Sequence, residues 1–148
     1  MRILLVILVS LVPLATYAEN PRTLRVDYYH SGNVSDESFS LDRMVLEPLA
    51  FPGNLQQPID KTLRGKYLFE VVDVGSSKVF WSRSFSSIYG EWETTGEARQ
   101  MNRTFHESLR FPKPAENFEV ILRKRDASNQ FREVWRIELN PNDYLVHE

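Results

Sequence analysis

The sequence predicts an all-β protein, an antiparallel β-sandwich of jelly-roll or immunoglobulin type with about seven strands. Short stretches of alternating apolar and polar residues recur along the chain, and turn-forming residues separate them. One long connection interrupts this alternation and carries a short helical turn near residues 95–101. Connections of this kind transfer a chain between the layers of a Greek-key fold, so the strands on either side are not expected to pair. A small open barrel is the alternative, because alternation does not determine closure.

The first three strands are predicted over residues 23–30, 39–46 and 66–74, where the alternation is clearest. In the second strand the alternation slips at Asp42-Arg43, which predicts a β-bulge. Residues 47–63 contain prolines and little periodicity, so they are expected to form a loop. The third strand is apolar on both faces and is therefore expected to lie in the centre of a sheet.

Four further strands are predicted over residues 78–88, 105–111, 118–122 and 131–139. In the connection between the first two of them, Gly90 is predicted to let the chain leave the strand sharply. Thr94 and Glu97 have the spacing of a capping box, in which each side chain accepts a hydrogen bond from the other residue's amide. This capping box is expected to start the helical turn.

The N-terminal residues have the pattern of a secretory signal peptide. Arg2 supplies a positive charge, residues 3–14 are apolar, and Thr16-Tyr17-Ala18 offers the small residues that a signal peptidase requires. The chain is therefore predicted to be cleaved after Ala18 and exported to the periplasm or the extracellular space, with no membrane span left after cleavage. An uncleaved N-terminal anchor is the alternative, although the apolar run is short for one. Residues 19–148 are predicted to form a single domain.

Charge and composition argue against two features. The formal net charge is −2, and charges of both signs are interspersed without a basic stripe, so nucleic acid is not expected as a partner. The sequence contains no cysteine, which excludes both a disulfide framework and a lipid-modified N-terminal cysteine. The domain must then be held together by its core.

No catalytic or metal-binding residues are predicted. His106-Glu107 begins like the zinc motif HExxH, but position 110 is arginine and the segment is predicted to be a strand, in which residues four apart are too distant to share a metal ion. His147-Glu148 repeats only the first half of the motif, and His30 has no acidic residue or cysteine nearby at ligand spacing. No serine has a histidine placed to activate it.

A weak candidate binding site remains around Trp92. Glu91 and Glu93 flank this tryptophan and offer two carboxylates beside a ring on which a sugar could stack. Tyr28 and Tyr29 are further aromatic candidates. The alternative for the first three is structural, with Trp92 anchoring the long connection in the core and Glu93 placed just ahead of the helical turn, where the helix dipole favours a carboxylate.

Several blocks of the sequence are long enough to point to a family: TLRVDYYHSGN, SLDRMVLEPL, GKYLFEVVD, SIYGEWETTGEARQMNRTFHESLRFP and KRDASNQFREVW. Together they resemble the N-terminal domain of the IgA-peptidase family, secreted zinc metallopeptidases known mainly from gut Bacteroidetes. The resemblance extends over about the whole of residues 19–148. It implies a noncatalytic β-sandwich that acts as an accessory domain to a metallopeptidase domain carrying HExxH, which is the implied partner in cis.

The resemblance carries no catalytic residue and no zinc ligand over to this chain, and zinc is expected to belong to the catalytic domain. That domain would begin soon after residues 140–144. A truncated gene or a fragment is therefore expected, with a free-standing paralogue or a separately supplied catalytic domain as alternatives. The alternative function is a secreted module that binds a glycan or a host glycoprotein.

Overall fold

The computed structural model describes residues 20–146 and confirms a two-sheet antiparallel sandwich. The predicted signal peptide with its cleavage site at Ala18 and the dipeptide His147-Glu148 lie outside the described residues. In chain order the main elements are β1 (Arg22–Gly32), β2 (Glu37–Ala50), β3 (Tyr67–Asp73), β4 (Val79–Phe85), α1 (Ile88–Trp92), a 3-10 turn (Glu97–Arg99), β5 (Arg103–Pro112), β6 (Phe118–Arg125) and β7 (Phe131–Leu139).

The seven strands divide between two sheets. The first sheet has the order β5-β1-β2, and the second has the order β4-β3-β6-β7. A two-residue strand, β8 (Leu145–Val146), adds to the first sheet by pairing in parallel with the outer edge of β2. Two predictions are confirmed, because β3 lies in the centre of its sheet and the strands on either side of the long connection, β4 and β5, lie in different sheets.

One apolar core fills the space between the sheets. The alternating residues of β1 that were predicted to face inward are fully buried, and so is the inward face of the central strands of the second sheet. Phe111 of β5 packs against Phe69 and Phe118 with ring centroids 6.3 and 5.6 Å apart, which links the two layers. Burial of this apolar surface is the main favourable contribution to folding.

Strand β2 contains two irregularities. Asp27 pairs with Arg43 while Tyr28 pairs with Leu41, which leaves Asp42 as the extra residue of the predicted bulge. The second is a register shift opposite Arg22 and Leu24 of β1. It lies in a part of β2 that corrects a prediction, because the strand continues to Ala50 although residues 47–63 were expected to form a loop. Its last residue still pairs with Arg22 of β1, which compensates for the poor strand propensity of the segment.

The connection between β4 and β5, called the crossover here, comprises residues 86–102 and differs from the prediction in three ways. Strand β4 ends at Phe85, and Ser87 then caps α1 by accepting a hydrogen bond from the amide of Gly90 at 2.9 Å. Gly90 therefore lies inside a helix and not at a strand exit. Its lack of a side chain allows close packing, since a Cβ there would lie 2.9 Å from the ring of Tyr67.

The capping box predicted for Thr94 and Glu97 is also wrong. The Thr94 hydroxyl donates to the carbonyl of Glu91 at 2.7 Å, while the Glu97 carboxylate accepts from the indole N–H of Trp92 at 2.7 Å. The 3-10 turn at Glu97–Arg99 confirms the predicted position of a helical turn, but it begins at Gly96 without a side-chain cap. Each side chain thus bonds to a residue of α1 and not to the other member of the predicted capping box.

Gly32 provides a test of the turn that ends β1. Its φ of +147° is unfavourable for residues with a side chain, and a Cβ would lie 2.0 Å from the carbonyl oxygen of Asp36. Gly32→Ala is expected to lower the free energy of unfolding by about 2 kcal/mol or more. Gly96→Ala is the matched control, because no atom lies within 4 Å of its Cβ position, and it should change stability by no more than about 0.5 kcal/mol. Urea unfolding of both variants measures the difference, and equal effects would contradict the turn geometry.

Candidate functional site

A buried polar cluster lies where the crossover covers one end of the sandwich. At its centre is His30 of β1, which is 0% exposed and stacks on the ring of Tyr89 with centroids 3.8 Å apart. Its Nε2 lies 3.1 Å from a carboxylate oxygen of Glu37, and its Nδ1 lies 3.3 Å from one of Glu107. A doubly protonated imidazole can donate one N–H to each carboxylate, so the geometry suits an imidazolium between two anions.

Each of these two carboxylates has additional donors. The Tyr28 hydroxyl donates to Glu107 at 2.7 Å, and the Tyr67 hydroxyl donates to Glu37 at 3.1 Å. The amide of Tyr89 also approaches Glu107 at 3.4 Å. Because His30, Glu37 and Glu107 belong to β1, β2 and β5 while Tyr67 belongs to β3, the cluster connects the two sheets and the first residues of the crossover.

The cluster extends to the second sheet through lysines. Lys124 of β6 donates to Glu37 at 3.1 Å and to Glu93 at 2.8 Å. Glu93 follows α1 directly and also forms an ion pair with Lys66, so this buried carboxylate attaches the crossover to β6 and to the start of β3. The polar cluster is defined by these eight residues and Tyr89: Tyr28, His30, Glu37, Lys66, Tyr67, Glu93, Glu107 and Lys124.

The surroundings shift the pKa of each titratable group at the centre. Burial alone would lower the pKa of His30, but its hydrogen bonds to Glu107 and Glu37 outweigh burial, so the pKa lies above the ordinary value. Burial would raise the pKa of both carboxyls, yet the contacts with His30 and with Tyr28 or Lys124 hold each pKa below its ordinary value. Burial, together with the charge of Glu107, raises the pKa of the Tyr28 hydroxyl, which therefore remains a donor.

This arrangement is suited to holding the fold together and not to acid–base catalysis. A general base must reach a proton of the substrate, whereas His30 is fully buried and both of its ring nitrogens face carboxylates. The carboxylates are occupied by tyrosine, histidine and lysine donors. The cluster therefore has the character of a closed ionic network.

Strand alternation contained a signal for this cluster that the sequence analysis missed. His30 continues the inward series Leu24, Val26 and Tyr28, and Glu107 lies within the inward series of β5. A charged residue at an inward position of each of two strands indicates a buried pair. The search for acidic residues near His30 at ligand spacing did not find its two carboxylate partners, because Glu107 is distant in sequence and Glu37 lies across the β1–β2 turn.

The predicted binding residues do not form one site. Tyr28 is fully buried in the polar cluster, and Trp92 is 8% exposed in a small core with Tyr89, Ala98 and Phe105. Glu91 is exposed while Glu93 is buried among lysines, so they do not face each other across a cleft. Trp92 packs in the core as the structural alternative expected, and Glu93 both follows α1 directly and lies four residues ahead of the 3-10 turn.

Tyr29 is the one predicted candidate with an exposed ring. It lies on the outer face of the first sheet, is 40% exposed and has its ring 5.2 Å from that of His106. The neighbouring residues His106 and Glu107 point to opposite faces of β5, as expected in a strand, so the apparent half of a zinc motif is divided between the solvent side and the core side.

A possible metal-binding group occurs beside Tyr29. Ligand atoms of Asp27, Asp42 and His106 lie within 4.8 Å of one another on the outer face of the first sheet. Arg25 donates to both oxygens of Asp27 at 2.8 and 2.9 Å, and Arg43 contacts Asp42 at 3.1 Å. Two guanidinium groups neutralise these carboxylates and engage their oxygen atoms, so the residues present do not fit a zinc site.

A surface pocket elsewhere in the domain does not involve the polar cluster. It has a volume of about 690 Å³ and lies beside the loop between β2 and β3. Arg83 and Asp60 are among the residues that line this pocket. The guanidinium of Arg83 donates to the carbonyls of Gln57 and Pro58, and the carboxylate of Asp60 accepts from Ser84. These groups maintain the loop. Within residues 20–146, the helices are also too short or too polar to cross a membrane.

The fold and the closed cluster together define a class, namely a β-sandwich domain whose polar interior is structural. A comparison with protein families identifies the family to which this domain belongs. The model of the peptidase M64 N-terminus matches residues 16–136, which is most of the chain, and the chain therefore belongs to this family. This confirms the resemblance to the N-terminal domain of the IgA-peptidase family. No curated protein matches the chain in a sequence search.

The polar cluster predicts a bell-shaped dependence of stability on pH. The raised pKa of His30 adds stability that is complete below about pH 6.5 and is lost as pH rises through the folded-state pKa. The lowered pKa values of Glu37 and Glu107 add stability that is present above about pH 4.5 and is lost as pH falls through their folded-state values. Urea unfolding from pH 3 to 9 should therefore show a maximum at mildly acidic pH.

His30→Gln tests the origin of that maximum, because glutamine retains hydrogen-bonding capacity but carries no charge. It leaves two buried carboxylates without their central cation and should lower the free energy of unfolding by about 3 kcal/mol. The decrease in stability on the alkaline side should disappear in this variant. His106→Gln, which changes an exposed histidine, is the control and should retain the wild-type profile. An unchanged profile in His30→Gln would contradict the role of the cluster.

Proposed function

We propose that residues 19–148 form an exported, noncatalytic accessory domain that packs against a metallopeptidase domain in cis and positions it. The observation that carries this proposal is the match to the peptidase M64 N-terminus over residues 16–136. The name of the family locates this region ahead of the peptidase part. In the proposed arrangement, zinc and the catalytic residues belong to that other domain.

The chemistry of the described residues supports a noncatalytic role. Histidine and carboxylate groups of the kind used in catalysis are present, but the buried set is enclosed by the crossover and the exposed set is neutralised by arginines. A rigid sandwich with its charged groups paired internally is suited to presenting another domain in a fixed orientation. Export is proposed from the signal-peptide pattern that ends at Ala18.

A second candidate function is binding of a glycan or a host glycoprotein. The observation that favours it is the exposed ring of Tyr29 beside His106, with Asp42 on the neighbouring strand β2 and Ser31 two residues further along β1. Aromatic rings flanked by hydrogen-bonding groups are the usual platform for sugars. In this alternative the outer face of the first sheet is the contact surface, and Trp92 has no direct role because it is buried.

The accessory role predicts no peptidase activity for the purified chain from Glu19 to Glu148. Incubation with IgA or casein, with and without added zinc, should leave both substrates intact by gel electrophoresis and mass spectrometry. A family member that contains the catalytic domain is the positive control. Zinc-dependent cleavage by the isolated chain would overturn the proposal.

The glycan-binding alternative predicts that Tyr29→Ala removes binding on a glycan array. The substitution changes an exposed ring, so the thermal midpoint should remain within a few degrees of the wild-type value. Ile88→Ala, which changes an exposed residue of the crossover, is the matched control and should bind as the wild type does. If the wild-type chain binds no glycan on the array, this alternative is eliminated.

A further inference from the structure

Leu49, near the end of β2, is the most exposed of the large apolar residues that the structure describes, with 76% of its surface accessible. A single exposed leucine is common in soluble proteins and is not evidence of an interface by itself. Two features distinguish Leu49. It lies in a β-bulge, and the last described strand, β8, points toward it.

The backbone at Leu49 forms an enlarged bulge with two extra residues. Leu24 of β1 pairs with Leu46, and Arg22 pairs with Ala50, so three residues of β2, 47–49, lie opposite the single residue Thr23. The additional length projects the segment out of the sheet. Bulges of this kind redirect a side chain and often occur where a sheet edge takes part in function.

Side chains fix the bulge in place. The guanidinium of Arg22 donates to the carbonyl of Glu47 at 2.9 Å and approaches that of Leu46 at 3.5 Å, which satisfies backbone acceptors that the bulge removes from the ladder. The Glu47 carboxylate accepts from Arg25 at 3.3 Å and from Arg110 at 2.9 Å. The bulge is therefore anchored to both β1 and β5, and little conformational freedom would be lost on binding.

The last described strand, β8, points toward this bulge. Leu145 pairs with Val45 and Val146 pairs with Leu46 in parallel, so β8 runs in the same direction as β2, toward Glu47 and Leu49. Pro48 has no N–H to offer a neighbouring strand, which disfavours regular continuation of the pairing beyond it. A domain connected after β8 would consequently start beside the projecting leucine.

We propose that the bulge at residues 47–49 is the docking contact for the metallopeptidase domain, with Leu49 inserted into an apolar recess of that domain. The inference rests on the proposed function, since it locates the surface that an accessory domain would use. The occupant follows from the direction of β8 and from the apolar, uncharged character of the projecting Pro48-Leu49 pair, which suits the apolar centre of an interface.

Binding of the catalytic domain in trans tests the proposal. The probe is the separately purified catalytic domain of a two-domain member of the peptidase M64 family, titrated calorimetrically into the chain from Glu19 to Glu148. Leu49→Ser is expected to weaken binding about tenfold or more, as for a central interface residue. Ile88→Ser is the matched control, because Ile88 is 64% exposed on the crossover, which packs against β5 at the opposite edge of the first sheet, and it should leave affinity unchanged.

Three other outcomes of the binding experiment would overturn the docking contact, the proposed function or both. If the wild-type chain binds and Leu49→Ser binds equally well, the docking contact is wrong while the accessory role stands. If the wild-type chain does not bind the catalytic domain, the proposed function fails and the docking contact fails with it. If the chain forms a dimer in solution that Leu49→Ser dissociates, the bulge is an interface between two copies and the proposal is overturned. Unchanged thermal midpoints of both serine variants exclude unfolding as the cause.

Discussion

The imidazole of His30 lies between the carboxylates of Glu37 and Glu107. Without a cation in this position, two buried negative charges would lack their central partner. Five strands and the crossover contribute groups to the cluster around His30. The stacking of Tyr89 on His30 places the first turn of α1 against β1, and Glu93 attaches the other end of the helix to the second sheet. The position of the crossover, and with it the separation of β4 from β5, therefore depends on this ionic contact.

The polar end of the sandwich also complements its apolar centre. Aromatic and aliphatic packing joins the two sheets, but because it is non-directional it does not determine the position of the crossover at the end of the sandwich. Hydrogen bonds with fixed partners do specify it, since each carboxylate accepts from particular tyrosines and lysines. The small core of Tyr89, Trp92, Ala98 and Phe105 adds apolar packing between the crossover and β5.

Strand alternation predicted most of the fold, because a half-buried strand has a regular period of two. It located seven strands, the central position of β3 and even the bulge at Asp42, where the period fails. It did not predict α1, which is short and begins with Ile88 and Tyr89, residues that equally suit a strand. The choice between the two was made by the local cap from Ser87 to the amide of Gly90 and by the tertiary packing of Gly90 on Tyr67. The polar cluster was predictable only in part. Inward charged positions at His30 and Glu107 can be recognised in the sequence, but their proximity results from the pairing of β1 with β5.

The sequence contains no cysteine, so the two sheets are joined at the crossover end by hydrogen bonds and ion pairs, among them those of Tyr67 and Lys124 with Glu37 in the network around His30, and not by a covalent bond. A disulfide in this place would require an oxidant to form and would persist after the chain unfolded. The contact between His30 and its carboxylates needs neither an oxidant nor an isomerase. The domain can consequently assemble in a reducing or an oxidising compartment with the same result, and after exposure to acid it should recover this contact as soon as the carboxyl groups ionise again.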